Sequence, residues 1–305
     1  MSAVETAARV VTPQEAAEEH SLSFALIADS GIIASWLVVG LLGGSLTIIA
    51  ETIRAVLMIS IEAFAYVLMC RLHRGRLADL EFGTGKLEQV ANLFIGGGML
   101  AGAAWIFSGA VAIVEGERPV SAPIWLAIGA LSIAANLVVN IVAWDAMRRT
   151  LHRESSLVML AQFKARTVKL IASCVVIVTL TTAALAPDVV VVAWADAVGS
   201  VFVAGLIVVN ATQILRDCIP DLLDRSAGKD VRATVEQALA RHAGEFQQLE
   251  RLRSRRSGRA VFVEATIAFE PGLAMGEVDR RIAAIRATML AEIEHGDISI
   301  LTSVA

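Results

Sequence analysis

The chain alternates long apolar stretches with short polar breaks. The spacing of the breaks matches the thickness of a bilayer, which a helix of about 20 apolar residues will cross. No charge occurs between Ser30 and Ala50, so a first span is predicted from about Phe24 to Leu42, followed by a tight turn at Gly43-Gly44-Ser45. A second span runs from about Leu46 to Met69 and is unusual in carrying Glu51, Arg54 and Glu62. The third, about Glu88 to Val114, is rich in glycine (Gly96, Gly97, Gly98, Gly102) and is broken by Glu115-Gly-Glu-Arg-Pro119. A fourth is predicted over about Ala122 to Ala143, a fifth over about Ala161 to Ala184 and a sixth over about Val191 to Leu215.

Beyond Pro220 the pattern changes. Val231, Val235, Ala238, Leu239 and His242 recur as one face of an amphipathic helix, and Leu249 to Arg253 reads as a strand. Ser257-Gly258 is a turn signal, after which Val261, Val263, Ala265, Ile267 and Phe269 alternate as a half-buried strand. Val278, Ile282, Ile285, Met289 and Ile293 return to helical spacing, and Ile298 to Val304 makes a last strand. The predicted fold class is membrane α-helical with six transmembrane helices, joined to a C-terminal cytoplasmic α+β domain of order α-β-β-α-β, ferredoxin-like, with helices on one face of the sheet. The expected division is a cytosolic tail over 1–22, a transmembrane domain over 23–218 and a C-terminal domain over 219–305. Within the tail, residues 1–20 are expected to be partly disordered or a short surface helix.

Composition strengthens this picture. Of 305 residues 56% are hydrophobic and mean hydropathy is +0.67. Only 18% are charged, against about a quarter in soluble domains. The net charge of −4 is unevenly spread, with Arg, Glu and Asp gathered in the last third. Lys and Arg set the orientation. Arg71, Arg74, Arg76 and Lys86 follow the second span, and Arg148, Arg149, Arg153, Lys164 and Arg166 follow the fourth, whereas the alternate loops hold Arg118 alone. Both termini and both basic loops are therefore expected in the cytoplasm, with the chain in a bacterial inner membrane or a membrane derived from it. Glu5, Glu15, Glu18 and Glu19 exclude a signal peptide. Cys70, Cys174 and Cys218 form no CxxC pair and read as buried small apolar residues. The histidines are scattered, with His295 and Asp297 at a weak ligand spacing.

Ser45-Leu-Thr-Ile-Ile-Ala50 is similar to an SxxLLA segment, and Phe82-Gly-Thr-Gly-Lys86-Leu-Glu88 resembles an FGHGKxE motif. These open the second and third spans of one family, the cation diffusion facilitators. Ala195-Asp196-Ala197, Leu222-Leu-Asp224-Arg225 and Arg253-Ser-Arg-Arg-Ser-Gly258 before a Phe-Val strand are similar to it as well, in the right order from about residue 24 onward. The resemblance implies a dimer that exchanges a divalent metal (zinc, iron or manganese) for protons by alternating access. It implies a site of two carboxylates one turn apart on the second span and a His or Asp plus an Asp one turn apart on the fifth. Zinc takes four nitrogen, oxygen or sulfur ligands, and i,i+4 spacing puts two on one helix face. The resemblance also gives Lys86 a role, as partner of an acidic residue such as Asp224 at the junction of membrane and tail.

The chain departs from the family where the metal should be held. Counted from Ser45, the second-span ligand positions fall on Arg54 and Met58; counted from Ser156, the fifth-span positions fall on Ala165 and Lys169. A fixed cation at about 4 Å repels a divalent metal by several kcal/mol even at an effective dielectric near 20. Other family ligand positions fall on Thr84, Leu80 and Leu77 after the second span and on Glu250, Thr266 and Leu301 in the tail. No metal ligand set and no cofactor is therefore expected at these positions. Glu51, Met58 and Glu62 share a face with Arg54 beside Glu51, and Gln162, Arg166 and Lys169 share a face of the fifth span. Charges inside a membrane cost about 2.5–3.5 kcal/mol each unless paired or hydrated. A buried ionic network is expected, with Glu51 and Glu62 answering Arg54 and Lys169. It reads either as a substitute for the metal site or as a structural lock with snorkelling ends, Lys164 and Arg166 first among them.

Other constellations weigh less. Gly83-Thr-Gly85-Lys86 lacks phosphate-loop spacing. Asn136 and Asn140 read as interhelical hydrogen-bond donors. Asp29 and Asp196 read as wetted structural carboxylates near helix ends, or as the lining of a proton path. Arg251, Arg253, Arg255, Arg256 and Arg259 form a solvated or lipid-facing hairpin without the interleaved aromatics of nucleic-acid binding. No nucleophile–base pair marks an enzyme. Three functions remain: cation efflux by proton antiport with a non-standard site; a transport-inactive homologue that pairs with an intact paralogue as partner, scaffold or regulator; and a carrier of a different, anionic cargo. The expected partners are the bilayer and a second copy or a paralogue.

Overall fold

The computed structural model describes residues 12–74, 84–151, 157–257, 260–293 and 295–304. Six helices long and apolar enough to cross a membrane come first: α1 (Pro13–Gly43), α2 (Leu46–His73), α3 (Gly85–Val114), α4 (Pro123–Leu151), α5 (Leu157–Leu185) and α6 (Val189–Leu222). Then follow α7 (Lys229–Arg241), β1 (Gln248–Ser257), β2 (Ala260–Phe269), α8 (Met275–Glu292) and β3 (Gly296–Val304). The order of elements is the one predicted, and several helices run longer than predicted, α2 to His73, α4 to Leu151 and α5 from Leu157 among them. α1 begins well inside the expected tail, because Thr12-Pro-Gln-Glu15 makes a capping box: the Thr12 amide donates to Glu15 Oε2 at 2.8 Å, Thr12 Oγ1 accepts from the Glu15 amide at 3.3 Å, and Pro13 opens the helix. α6 continues past Leu215 through Pro220 to Leu222. β1 runs on to Ser257, because its arginines pair residue for residue with β2. The predicted turn residue Gly258 lies outside the described residues, as do residues 75–83.

The chain divides into two compact units, and the cut passes through three helices. One unit holds Thr12–Tyr66 and Ile95–Gln213; the other holds Val67–Phe94 and Ile214–Ala305 in its described part. In the first, the buried core gathers at the end where α2 begins: Leu46, Ile48, Ala50, Ile106, Leu126 and Leu180 are all buried. Beyond Thr52 no described residue of α2 is buried. Large apolar side chains such as Phe24, Leu41, Leu131, Val142 and Leu185 stand exposed, as a surface that faces lipid requires. At the opposite end of α4 and α5, Trp144 Nε1 donates to Thr167 Oγ1 at 2.9 Å and its ring stacks on Phe163 at 5.3 Å. The cysteines do not share one environment: Cys218 is buried, Cys70 is intermediate and Cys174 is exposed, so the expectation of three buried residues holds for Cys218.

In the second unit, β2 is the central strand, antiparallel to β1 and parallel to β3. A parallel neighbour needs a crossover connection, and α8 supplies it. Val261, Val263, Ala265 and Ile267 point to one face, where α7 (Val235, Ala238, Leu239) and α8 (Val278, Ile285, Met289) cover them. Ile267 and Ile285 are completely buried. Ile267→Ala is therefore expected to cost about 2–5 kcal/mol, read as faster amide exchange across Ala260–Phe269 in the full chain, with exchange in α2 unchanged.

Candidate functional site

The first turn of α2 is held from α6. Ser45 caps the helix, its Oγ accepting from the Ile48 amide at 3.4 Å. The two preceding amides are met by one carboxylate: Asp196 Oδ2 accepts from the Leu46 amide and Oδ1 from the Thr47 amide, each at 2.9 Å. Ser45 Oγ also donates to Asp196 Oδ1 at 2.8 Å, and Thr47 Oγ1 donates to the Asp196 carbonyl at 2.8 Å. A helix leaves its first amides without intrahelical partners and carries positive charge at that end, so a carboxylate there is doubly favoured. Asp196 is 3% exposed, which corrects the reading of it as a wetted carboxylate. Two sequence signals point to the bond: α2 has no acid of its own in its first turn, and Asp196 is a lone charge in the apolar start of α6. The threonine side chains of α2 and α5 fill the space beside Gly199, leaving no room for a side chain there: a Cβ would stand 2.6 Å from Thr47 Oγ1 and 2.8 Å from Thr179 Oγ1.

One turn further along α2 stands the ion pair. Arg54 Nε donates to Glu51 Oε2 at 2.9 Å, and Arg54 Nη2 donates to Glu51 Oε1. The guanidinium fork matches the carboxylate with two parallel bonds, the strongest arrangement open to this pair. Both side chains are largely buried. Thr47 and Thr179, which flank Gly199 together, mark one level of the bundle. From there, at 1.5 Å per residue, Arg54 lies about 10 Å along α2 and Met58 about 16 Å, while on α5 Ser173 lies about 9 Å, Lys169 about 15 Å and Ala165 about 21 Å. Arg54 and Met58 are thus level with Ser173 and Lys169, and Ala165 sits a turn beyond. α5 contains no carboxylate.

Of the ionic network expected from the sequence, Glu51 and Arg54 form a buried pair, and Glu62 lies within electrostatic reach of Asp29 on α1 and Lys169 on α5. All three of these residues are exposed, because they lie towards the end of the bundle where α2 buries nothing. Nothing is assigned to the side chains of Gln162, Lys164, Ala165 and Arg166, which lie outside the described side chains. Asn136 and Asn140 do not bridge helices: Asn140 Nδ2 donates to the Asn136 carbonyl at 2.9 Å and to its side-chain oxygen, all within α4. Among the described residues no group of three or more His, Cys, Asp or Glu is placed to hold a metal ion.

In the second unit Lys86, at the start of α3, donates to Asp224 Oδ2 at 2.8 Å, and Arg255 of β1 donates to Asp224 Oδ1 at 3.1 Å. Gln89 Nε2 donates to Asp221 Oδ2 at 3.2 Å beside them. Asp224 therefore ties the end of α6 to α3 and to the sheet. The Lys86 hydrogen bond, and after it that of Arg255, hold its carboxyl below the ordinary value of 3.8.

A family model described as the cation efflux transmembrane domain matches residues 22–223. No curated protein matches the chain.

Two outcomes are expected of this geometry. Arg54→Met strands a buried carboxylate and should cost about 3–5 kcal/mol, whereas Glu51→Gln combined with Arg54→Met should recover most of it. Thermal unfolding of the purified protein in detergent measures both. At the other site the depressed pKa of Asp224 means that its tie is fully present above the ordinary aspartate value and is lost as pH falls through the lower folded value. Carbodiimide coupling of Lys86 to Asp224, read by mass spectrometry, should therefore occur in the wild type and vanish in Asp224→Asn. The disruption that Asp224→Asn causes at neutral pH should shrink in strong acid.

Proposed function

The chain belongs to the cation efflux family, and on that footing we propose that it is a carrier whose usual four-ligand metal position on α2 and α5 is filled from within by the Arg54 guanidinium. Membership makes it an integral membrane transporter of the cation diffusion facilitator type. The observation that carries the finer reading is the closed Glu51–Arg54 pair. The carboxylate that a divalent cargo would approach on α2 is already neutralised, and a second cation beside Arg54 would meet repulsion of several kcal/mol. Lys169, level with Met58, adds to that repulsion.

The cargo in this reading is a cation that uses carboxylates elsewhere in the bundle, Asp29 on α1 and Glu62 on α2. Zinc, iron and manganese are the candidates that the family offers. Efflux is coupled to protons, the carrier is a dimer, and the termini and basic loops face the cytoplasm of a bacterial cell. Lys and Arg at the matching helix ends support that orientation. The Lys86–Asp224–Arg255 tie keeps the C-terminal domain in register with α3 and α6. A second reading draws on the same filled position: the chain does not transport alone but dimerises with an intact paralogue and stabilises or regulates it.

Proteoliposomes containing the full chain alone, given a proton gradient and zinc, manganese or ferrous iron in turn, separate these readings. The carrier reading expects flux of at least one of the three, lowered by about tenfold or more in Glu62→Gln and within about twofold of wild type in Met58→Ala. Flux that appears only when an intact paralogue is present would overturn it in favour of the partner reading.

A further inference from the structure

We propose that the contact between Asp196 and the first turn of α2 is a latch that closes the transport path at the end where α2 and α6 begin, and that α2 must part from α6 there for cargo to leave. The inference rests on the carrier reading above. Its first support is the completeness of the bonding. Asp196 meets the Leu46 and Thr47 amides and the Ser45 hydroxyl, and its carbonyl takes the Thr47 hydroxyl. Two adjacent turns of two helices are joined by four bonds where no water reaches. Such a cluster is held or released as a whole, because breaking one bond leaves a buried donor unsatisfied.

The packing around the latch is a seal. Leu46 is 1% exposed and Ile48 is 0% exposed. At Gly199 the space beside α6 is filled by the side chains of Thr47 from α2 and Thr179 from α5, so the three helices meet there through two small residues. The other end of α2 is different, with no described residue buried beyond Thr52. The path along α2 is therefore shut where α2 begins and unpacked where it ends.

The latch also sits next to the ion pair. Glu51 follows the bonded turn on the same helix, with the buried Ala50 and Thr52 on either side. A shift of α2 away from α6 would carry the Glu51–Arg54 pair with it. A packed interface with two discrete arrangements converts a local break into such a movement.

The test needs no cargo. In the full chain with Cys70, Cys174 and Cys218 replaced by alanine, Ala50→Cys serves as a reporter just inside the seal. The protein is reconstituted in liposomes, and protease digestion of the C-terminal domain establishes which side faces out. A membrane-impermeant maleimide is then applied from the side at which α2 and α6 begin, and separately from the other. Asp196→Asn, which keeps the size but loses one acceptor, should raise the labelling rate about tenfold from that side and leave it unchanged from the other. Ser45→Ala, which removes the donor to Asp196 and the long 3.4 Å acceptor for the Ile48 amide but leaves both amide bonds to Asp196, should raise it by a smaller factor in the same one-sided way. An unchanged rate in both variants would overturn the latch. So would an equal rise from both sides, because a cap that merely stabilises the helix gives that result. Labelling is independent of flux, so its failure would leave the carrier reading standing, and a failure of flux would leave a one-sided labelling result intact.

Discussion

A charge inside a bilayer has to be answered at its own level, and in this chain the answers come from within the protein. Glu51 is answered by the guanidinium of Arg54, three residues along the same helix. Asp196 is answered by the amides and hydroxyl of the turn that opens α2. In water either arrangement would be worth little. In a medium where an unpaired charge costs several kcal/mol, each fixes the helices that bear it. The buried first turn of α2 and the closed ion pair beside it follow from where these charges stand.

That constraint separates scaffold from site. The family's helices are present, with an α-β-β-α-β domain and the Lys86–Asp224 contact, and the proposed reading has Arg54, Met58, Ala165 and Lys169 stand at the positions that the resemblance assigns to the metal. A fold can persist while its site changes, so function has to be argued from the site. An internal guanidinium is not a passive loss of ligands. In the proposed reading it fixes a cation of known charge where a mobile one would otherwise bind, and its pairing with Glu51 engages the carboxylate beside it.

The span pattern and the strand alternation were legible in the sequence because both are one-dimensional: apolar run length gives a transmembrane helix, and Val261 to Phe269 alternate along a single strand. The Glu51–Arg54 pair was legible for the same reason, being three residues apart on one helix. The bond from Asp196 to Ser45, Leu46 and Thr47 was not, because it joins residues about 150 positions apart. Depth along the bundle was not legible for the charges either. Lys169 and Glu62 read as members of one buried network with Arg54, and only the stacking of Thr47, Thr179 and Gly199 puts them nearer the open end. Asn136 and Asn140 illustrate a related gap, since spacing alone does not distinguish a bond along a helix from a bond between helices.

The central claim is that the cation on α2 is the protein's own. Cobalt(II) is its most direct probe, because a tetrahedral site of nitrogen, oxygen or sulfur ligands gives it a strong visible absorption that open, water-rich coordination lacks. Titrated into the full chain in lipid nanodiscs, cobalt should give no tetrahedral band. Infrared difference spectra should likewise leave the Glu51 carboxylate signal, assigned by comparison with the Glu51→Gln and Arg54→Met double variant, undisturbed. A tetrahedral band in the wild type that disappears in that double variant would contradict the account.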